Sequence, residues 1–248
     1  MIHLKEVLDN LHNFHGLIYL KGGTEWEDME LNEISLLKSS GSPEIPTIIK
    51  VAGAEARVDI RNLQKMGIDT ILGPMIESTY ALEKFVATVS QIYERSEKKP
   101  GLAINIETIN AVQYLDAIVS CSAFKNIDMV VIGRLDLSMS VGETNVDHPK
   151  IFELTKTIVD RVRAEGKDVS IGGFVNPTSA QKIQSTLNAN RINTLHTMID
   201  TEQASDISKS VELAIQFEIA FYEALKKENP ERSPFYNQRI AISQKKLD

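Results

Sequence analysis

Short β-rich apolar runs alternate with amphipathic stretches along the chain, and this alternation constrains the fold more than any other feature. The runs are LIYLKGG (17–23), TIIKVAG (47–53), TILGPM (70–75), LAINIET (102–108), MVVIGRLDLS (129–138), VSIGGFV (169–175) and NTLHTMID (193–200). Strands that are apolar nearly throughout suit a parallel sheet covered on both faces. Between them, residues 77–95 place Leu82, Phe85, Val86, Val89, Ile92 and Tyr93 on one helical face. Residues 148–165 repeat the pattern with Ile151, Leu154, Ile158 and Val162. That spacing is the i, i+3, i+4, i+7 signature of an amphipathic helix. Pro149 and Pro177 stand where a first helical turn accepts proline. A β–α unit every roughly 25–30 residues predicts a parallel α/β fold. At 248 residues a TIM-type (β/α) barrel is favoured over an open doubly wound sheet. KGGTEWE, after the first run, is not GxGxxG, so a dinucleotide-binding reading is weak.

Seven clear strands are legible where a barrel needs eight. The segment before Gly16 reads as a helix, with Leu4, Val7, Leu8 and Leu11 on one side. The expectation is therefore a modified barrel whose first strand is missing, unless one strand is hidden. Residues 1–228 are expected to form a single barrel domain. Residues 209–227 are apolar around much of their circumference, as in a helix buried between two layers or two subunits. Residues 229–248 read as a polar, proline-containing C-terminal tail, either a mobile end or an inter-subunit arm.

Composition narrows the function. A formal net charge of −7 argues against a nucleic-acid partner, which calls for a basic face. It leaves anionic substrates open, because a local cation overrides the global sign. No apolar run reaches the ~18 residues of a membrane span, and MIHLKEVLDNLHNF resembles neither a signal nor a transit peptide. A cytoplasmic location is expected. The single cysteine, Cys121, cannot form an internal disulfide and is read as a buried, inert thiol at a helix end.

In a TIM barrel the active site lies at the C-terminal ends of the strands. Standing there are Lys21 and Glu25, Lys50, the Gly73–Pro74–Met75 turn, Glu107, Arg134 and Asp136, Gly172 and Gly173 with Asn176, and His196 with Asp200. Glu107 and Asp136 are 29 residues apart, one β–α unit, so they project from adjacent strands towards one point. Two such carboxylates repel unless a proton or a cation lies between them. Mg²⁺ takes one or two carboxylates and completes its shell with water and substrate oxygens. The competing reading is that each acid caps the helix that follows it. Lys50 is a functional cation or a solvated strand end. His196 is a core histidine or an acid/base, and His3, His12, His15 and His148 read as surface or cap-side residues. Gly172–Gly173 permits close approach to an anion, or simply turns the chain. Trp26 is a substrate contact or packing.

The stretch LAINIETINAVQYLDAIVSCSAFKNIDMVVIGRLDLSMSVG (102–142) resembles the core signature of the HpcH/HpaI aldolase and citrate lyase β-subunit family. That signature is a strand ending in Glu-Thr, a helix, then a strand ending in G-x-x-D-L-S with a later glycine, here Gly133, Asp136, Leu137, Ser138 and Gly142. GIDTILGPMIESTYAL (67–82) is similar to the family's strand that carries P-M-[VI]-[EQ]-[ST]. The resemblance covers roughly residues 45–200. It implies a barrel of the pyruvate/phosphoenolpyruvate-binding type and a divalent-metal-dependent carbon–carbon lyase acting on a 2-oxo or hydroxy acid through a metal-bound enolate. Glu107 and Asp136 would hold Mg²⁺ or Mn²⁺. Lys50, Arg57 and Glu25 are the catalytic candidates, and Lys21, Lys50, Gly73, Pro74, Met75 and Arg134 the substrate contacts. A homo-oligomer, trimer or hexamer, is implied as well. Three departures mark a divergent branch. Lys50 stands where the family has an arginine, with Arg57 one turn into the next segment; LKGGTEWED lacks the aldolase branch's acid–histidine pair; and the first strand is missing. A CoA-ester lyase of the citryl- or malyl-CoA type and a non-catalytic, anion-binding barrel are the alternatives.

Overall fold

The computed structural model describes residues 2–41 and 43–247, without the side chains of Ile2 and His3. The surface assignment of His3 therefore lies outside the described residues. In chain order the first half holds α1 (Ile2–Phe14), β1 (Leu17–Gly23), α2 (Leu31–Gly41), β2 (Thr47–Lys50), α3 (Arg57–Met66), β3 (Thr70–Gly73), α4 (Thr79–Ile92) and β4 (Gly101–Ile106). There follow α5 (Ile109–Gln113), α6 (Leu115–Ser120), β5 (Met129–Gly133), α7 (Arg134–Ser140), α8 (Pro149–Ala164), β6 (Asp168–Gly172) and α9 (Pro177–Thr186). The last elements are β7 (Arg191–Asn193), β8 (Thr197–Asp200), α10 (Ile207–Glu228) and α11 (Ser233–Gln244).

Eight strands close into one barrel in sequence order, so the expected loss of the first strand is overturned. The missing strand lay inside the run 193–200, which holds the end of β7 and all of β8. The two are antiparallel, with Asn193 opposite Met198. β8 closes the barrel by pairing antiparallel with β1, while β1 to β7 pair parallel. The turn between β7 and β8 contains neither glycine nor proline. It is held by Glu218 of α10, whose Oε1 accepts the N–H groups of Leu195 at 2.6 Å and His196 at 3.3 Å.

Side chains alternate between the two faces of each strand. Ile48, Leu72, Ala103, Met129, Val131 and Met198 form a small cluster inside the barrel. Ile49, Ile71, Ile104, Val130 and Ile171 point outward into the larger core beneath the helices. Two residues beyond the inner apolar layer the same face turns polar. Ile48 gives way to Lys50, and Ala103 to Asn105 and then Glu107. The barrel floor is thus sealed by packing and its mouth is lined by polar groups, as the period of two dictates.

The apolar circumference of α10 is covered within the chain, by α1 and α9 on its flanks and α11 over it. Residues 229–247, expected as a polar tail or arm, form a short turn and the helix α11, which buries Tyr236, Arg239, Ile240 and Ser243. His148 caps α8 by accepting the Lys150 N–H, with Pro149 in the first turn. Asn176 caps α9 in a reciprocal box with Ser179, ahead of Pro177. Cys121, at the end of α6, is half-buried rather than buried. Among the described residues no helix is long and apolar enough to cross a membrane.

Candidate active site

A cavity of about 100 Å³ opens at the mouth between the ends of β1, β2, β4, β5, β6 and β7. A water needs roughly 10–15 Å³ on this measure, so the space admits a small organic acid. Lys21, Glu27, Lys50, Asn105, Glu107 and Asp136 line its polar side, and Gly133, Gly172 and Gly173 lend it backbone.

Glu107 is 2% exposed and held from two directions. The Met75 N–H donates to Oε1 at 3.1 Å, and the Asn105 amide donates to Oε2 at 2.5 Å. Met75 can aim its N–H there because it adopts a left-handed backbone, φ 49°, which is uncommon for a non-glycine residue. Gly73, Pro74 and Met75 do not line the cavity themselves; the turn acts through this one N–H. Thr108, not Glu107, caps α5, so Glu107 is free of the helix-cap role. Burial pushes its carboxyl up to about 7, and the charge of Asp136 adds to this, against the pull of Lys50 and the two donors.

Asp136 is not at a strand end, as the run 129–138 suggested. β5 stops at Gly133 and Asp136 lies in the first turn of α7. From there it still faces the Glu107 cavity. Burial raises its pKa, Lys50 opposes, and Glu25 and Glu27 add to the rise. Gly133 is what lets the two elements meet. A Cβ there would collide with the Glu107 carboxylate and lie 2.9 Å from the Glu107 Cβ. Gly133→Ala is expected to displace Glu107 from both donors and cost about 1–3 kcal/mol, the range for forced overpacking. Thermal unfolding together with Mn²⁺ titration measures this; an alanine variant with unchanged melting and unchanged metal affinity would contradict it.

The cations lie opposite. Lys50, 7% exposed, contacts Glu25 at 2.6 Å and Glu27 at 3.3 Å. Lys21 contacts Glu27 at 2.6 Å. Burial works against the charge of Lys50, yet Glu27 and Glu25 hold its pKa above the ordinary lysine value. Burial likewise opposes the charge of Glu27, but Lys21 and Lys50 bring its carboxyl down to about 2. Lys50 is thus a fixed positive charge inside the barrel, not a solvated strand end. Gly23 makes room for the arrangement, since a Cβ there would lie 2.5 Å from Glu27 Oε2.

Other expected site residues are placed elsewhere. Arg57 bonds to Gln91 at 2.7 Å and pairs with Glu55, half-exposed and away from the cavity. Arg134 is fully buried beneath the β6 turn, with its donors on Asp147 and the carbonyls of Gly172 and Gly173. It clamps that turn and has no face on the cavity. The residue lies one position past the strand end, where the chain turns into α7. Glu25 touches Lys50 but does not line the cavity. His196 is a satisfied core histidine: Nδ1 meets the Lys21 carbonyl at 3.0 Å and Nε2 the Tyr222 hydroxyl at 2.8 Å. Gly172 and Gly173 do approach the cavity, as does Trp26, which carries the Arg239 guanidinium 3.9 Å above its ring.

The sequence reading passed over Glu27, Asn105, Asn193 and Lys246, all in the cavity wall. Asn105 had a signal, two residues before Glu107 on the same strand face. Its Oδ1 is buried with no hydrogen-bond partner, an open oxygen beside the acid pair. Among the described residues no group of three or more His, Cys, Asp and Glu side chains is placed to hold a metal. Two carboxylates and an unpartnered amide oxygen are nonetheless a hard, all-oxygen set of the kind Mg²⁺ or Mn²⁺ accepts when solvent and substrate supply the rest.

Comparison with known proteins bears on the fold and the family. The 2-keto-3-deoxy-L-rhamnonate aldolase of Shigella sonnei (strain Ss046) is 27% identical over 164 residues, covering 55% of this chain and 58% of that relative's length. A solved HpcH/HpaI aldolase/citrate lyase family protein from Burkholderia cenocepacia J2315 superposes with a TM-score of 0.60 at 13% identity, covering 86% of this chain and 97% of the other. The citrate synthase SbnG superposes with a TM-score of 0.58 at 17% identity, over 75% of this chain and 89% of its own. The family model described as HpcH/HpaI aldolase/citrate lyase matches residues 39–215, from the end of α2 into α10, and includes Glu107 and Asp136. By that match the chain belongs to the HpcH/HpaI aldolase/citrate lyase family.

Proposed function

We propose that the protein is a divalent-metal-dependent carbon–carbon lyase acting on a small 2-oxo or hydroxy acid. The observation that carries this reading is the pairing of Glu107 with Asp136 in one cavity, with the open Oδ1 of Asn105 beside them. Both acids have raised pKa values because burial penalises their charge by more than Lys50 relieves it. Glu107, Asp136 and Asn105 would hold Mg²⁺ or Mn²⁺. When bound, such an ion acts as a Lewis acid towards the oxygens of a 2-oxo acid.

The protein's own groups divide the remaining work. Lys50 presents a permanent ammonium to negative charge that develops on a substrate oxygen, and a fixed charge in a water-poor site is effective because it need not reorganise. Glu25 and Glu27 are positioning residues, since they hold that ammonium in place. The Met75 N–H and the Asn105 amide keep Glu107 pointed into the cavity. Lys50 offers a point charge where an arginine would offer a planar fork, so substrate orientation rests more on the other walls. The names of the relatives, an aldolase and a citrate synthase, fit cleavage or formation of a bond next to an oxo or hydroxy acid.

Deuterium exchange into the methyl group of pyruvate, followed by NMR, tests the reading. Exchange is expected to require added Mg²⁺ or Mn²⁺ and to fall by about a hundredfold or more in Glu107→Gln and in Asp136→Asn, the scale for losing a preorganised electrostatic group. Exchange that survives chelation, or that neither substitution slows, would sink it.

A further inference from the structure

The signature G-x-x-D-L-S leaves open the position after its glycine, and in this chain Arg134 fills it. Arg134 is among the largest side chains buried completely, and a buried charge is costly unless its donors are met. They are met from two separate segments. Nε donates to the Gly172 carbonyl at 3.3 Å and Nη2 to the Gly173 carbonyl at 3.2 Å, both in the β6 turn. Nη1 donates to Asp147 at 2.8 Å, in the connection between α7 and α8. The Phe152 ring of α8 lies 5.5 Å from the guanidinium carbon. One side chain thus ties the first residue of α7 to the turn beneath it and to the segment that follows it.

Two features give that tie a consequence for the cavity. The first is that α7 has only seven residues, and its N-cap, Gly133, supplies no side-chain hydrogen bond. A helix so short does not hold itself together. Asp136 lies in its first turn, so the direction of that carboxylate depends on whatever seats the helix. The second is the form of the seat. Gly173 and Phe174 both adopt left-handed backbone, φ 85° and φ 55°, and a non-glycine residue keeps such a conformation only when its surroundings enforce it. The helix rests directly on this turn, since a Cβ on Gly173 would lie 2.6 Å from the Arg134 nitrogen. The Arg134 fork draws both turn carbonyls to a residue two positions before Asp136. A lysine would bring one point charge and no fork.

We propose that Arg134 is a positioning residue: by locking the start of α7 onto the β6 turn it sets the Asp136 carboxylate relative to Glu107, and with it the affinity of the pair for a divalent ion. This rests on the reading of Glu107 and Asp136 as metal ligands given above. Arg134 has no face on the cavity and its charge is matched by Asp147, so it acts through geometry.

Mn²⁺ alone is the probe. Its binding to the folded protein, well below the melting temperature, is followed by electron paramagnetic resonance of the free ion, with thermal melting recorded beside it. Arg134→Lys, which keeps the charge and loses the fork, is expected to weaken binding by about tenfold, within the range for losing a group that supports a metal ligand. Water-proton relaxation by the bound ion is expected to rise in this variant, as water takes the place of a displaced carboxylate. Asp147→Asn, at a half-buried position, is expected to weaken binding by about threefold, the scale of one hydrogen bond. A merely structural role would lower the melting temperature and leave the Mn²⁺ affinity of the folded protein unchanged. That result in Arg134→Lys overturns the proposal while the metal reading stands. If Arg134→Lys does not fold, the same result in Asp147→Asn overturns it. If wild type binds no Mn²⁺, the metal reading falls and takes the role of Arg134 with it.

Discussion

Glu27→Gln is expected to remove on the order of 3–5 kcal/mol of folding stability, the range for breaking a buried ion pair from one side. Glu27 is 1% exposed and serves two lysines, at 2.6 Å to Lys21 and 3.3 Å to Lys50. The glutamine leaves Lys21 with no carboxylate partner and Lys50 with Glu25 alone. The wild type should also show the ion pairs in its acid response. A carboxyl near 2 in the fold against 4.5 outside it binds fewer protons when folded. Its stabilisation is therefore complete above pH ~4.5 and lost as pH falls towards 2, and it amounts to about 3 kcal/mol. Urea unfolding at a series of pH values from 5 to 2 compares the two proteins. The Glu27→Gln curve should start lower and fall less across that window. Parallel curves would show that Glu27 is not the group responsible.

Deleting residues 230–248 is expected to leave no stably folded barrel. The deletion takes away the buried Tyr236 and Ile240, each contributing about 1.5–3 kcal/mol by burial. It also uncovers Tyr222 of α10, whose ring lies 6.1 Å from that of Tyr236. Polar losses accompany this: Glu33 loses Tyr236 and Arg232, and Glu218 loses Ser243 and Lys246. The β1–α2 loop, which carries Glu25 and Glu27, loses Arg232 at Asp28 and Arg239 at Trp26. Together these approach the roughly 5–15 kcal/mol that holds a domain folded. Circular dichroism melts and solubility on expression measure the outcome. A truncated chain that melts within a few degrees of the full one would mean that α11 rests on the barrel without supporting it. Tyr236→Phe is the milder companion: it keeps the packing and removes only the hydroxyl that satisfies Glu33.

How far the sequence reached depended on the range of the interactions involved. The β–α alternation is a local property, and all the runs that it marked hold strands. The acids of INIET and GRLDLS end or follow apolar runs at a spacing of one unit, and both reach the cavity. The hairpin of β7 and β8 was not legible. Thr194, Leu195 and His196 form its turn, yet they look like strand residues, and the group that satisfies the N–H donors of Leu195 and His196 is Glu218, 22 residues beyond His196. Local pattern carries no trace of such a partner. Arg134 was misplaced for a related reason: nothing in VIGRLD marks where extended backbone gives way to helix, and that single step turns the guanidinium under the β6 turn. Lys246 lies far from every motif in the chain, and only the return of α11 to the mouth brings it to the cavity.

The reversed strand has a practical side. Because β8 runs from mouth to floor, α10 starts at the floor, where Ser210 touches His15, and climbs for 22 residues, about 33 Å at 1.5 Å per residue. The last described residues therefore lie at the rim of the cavity, with Lys246 in its wall. An affinity handle or fluorescent partner fused after residue 248 would emerge beside the doorway through which substrate must pass. Assays of this protein are better run with handles placed at the other terminus, and a fusion at the C-terminus becomes a deliberate way to obstruct the entrance.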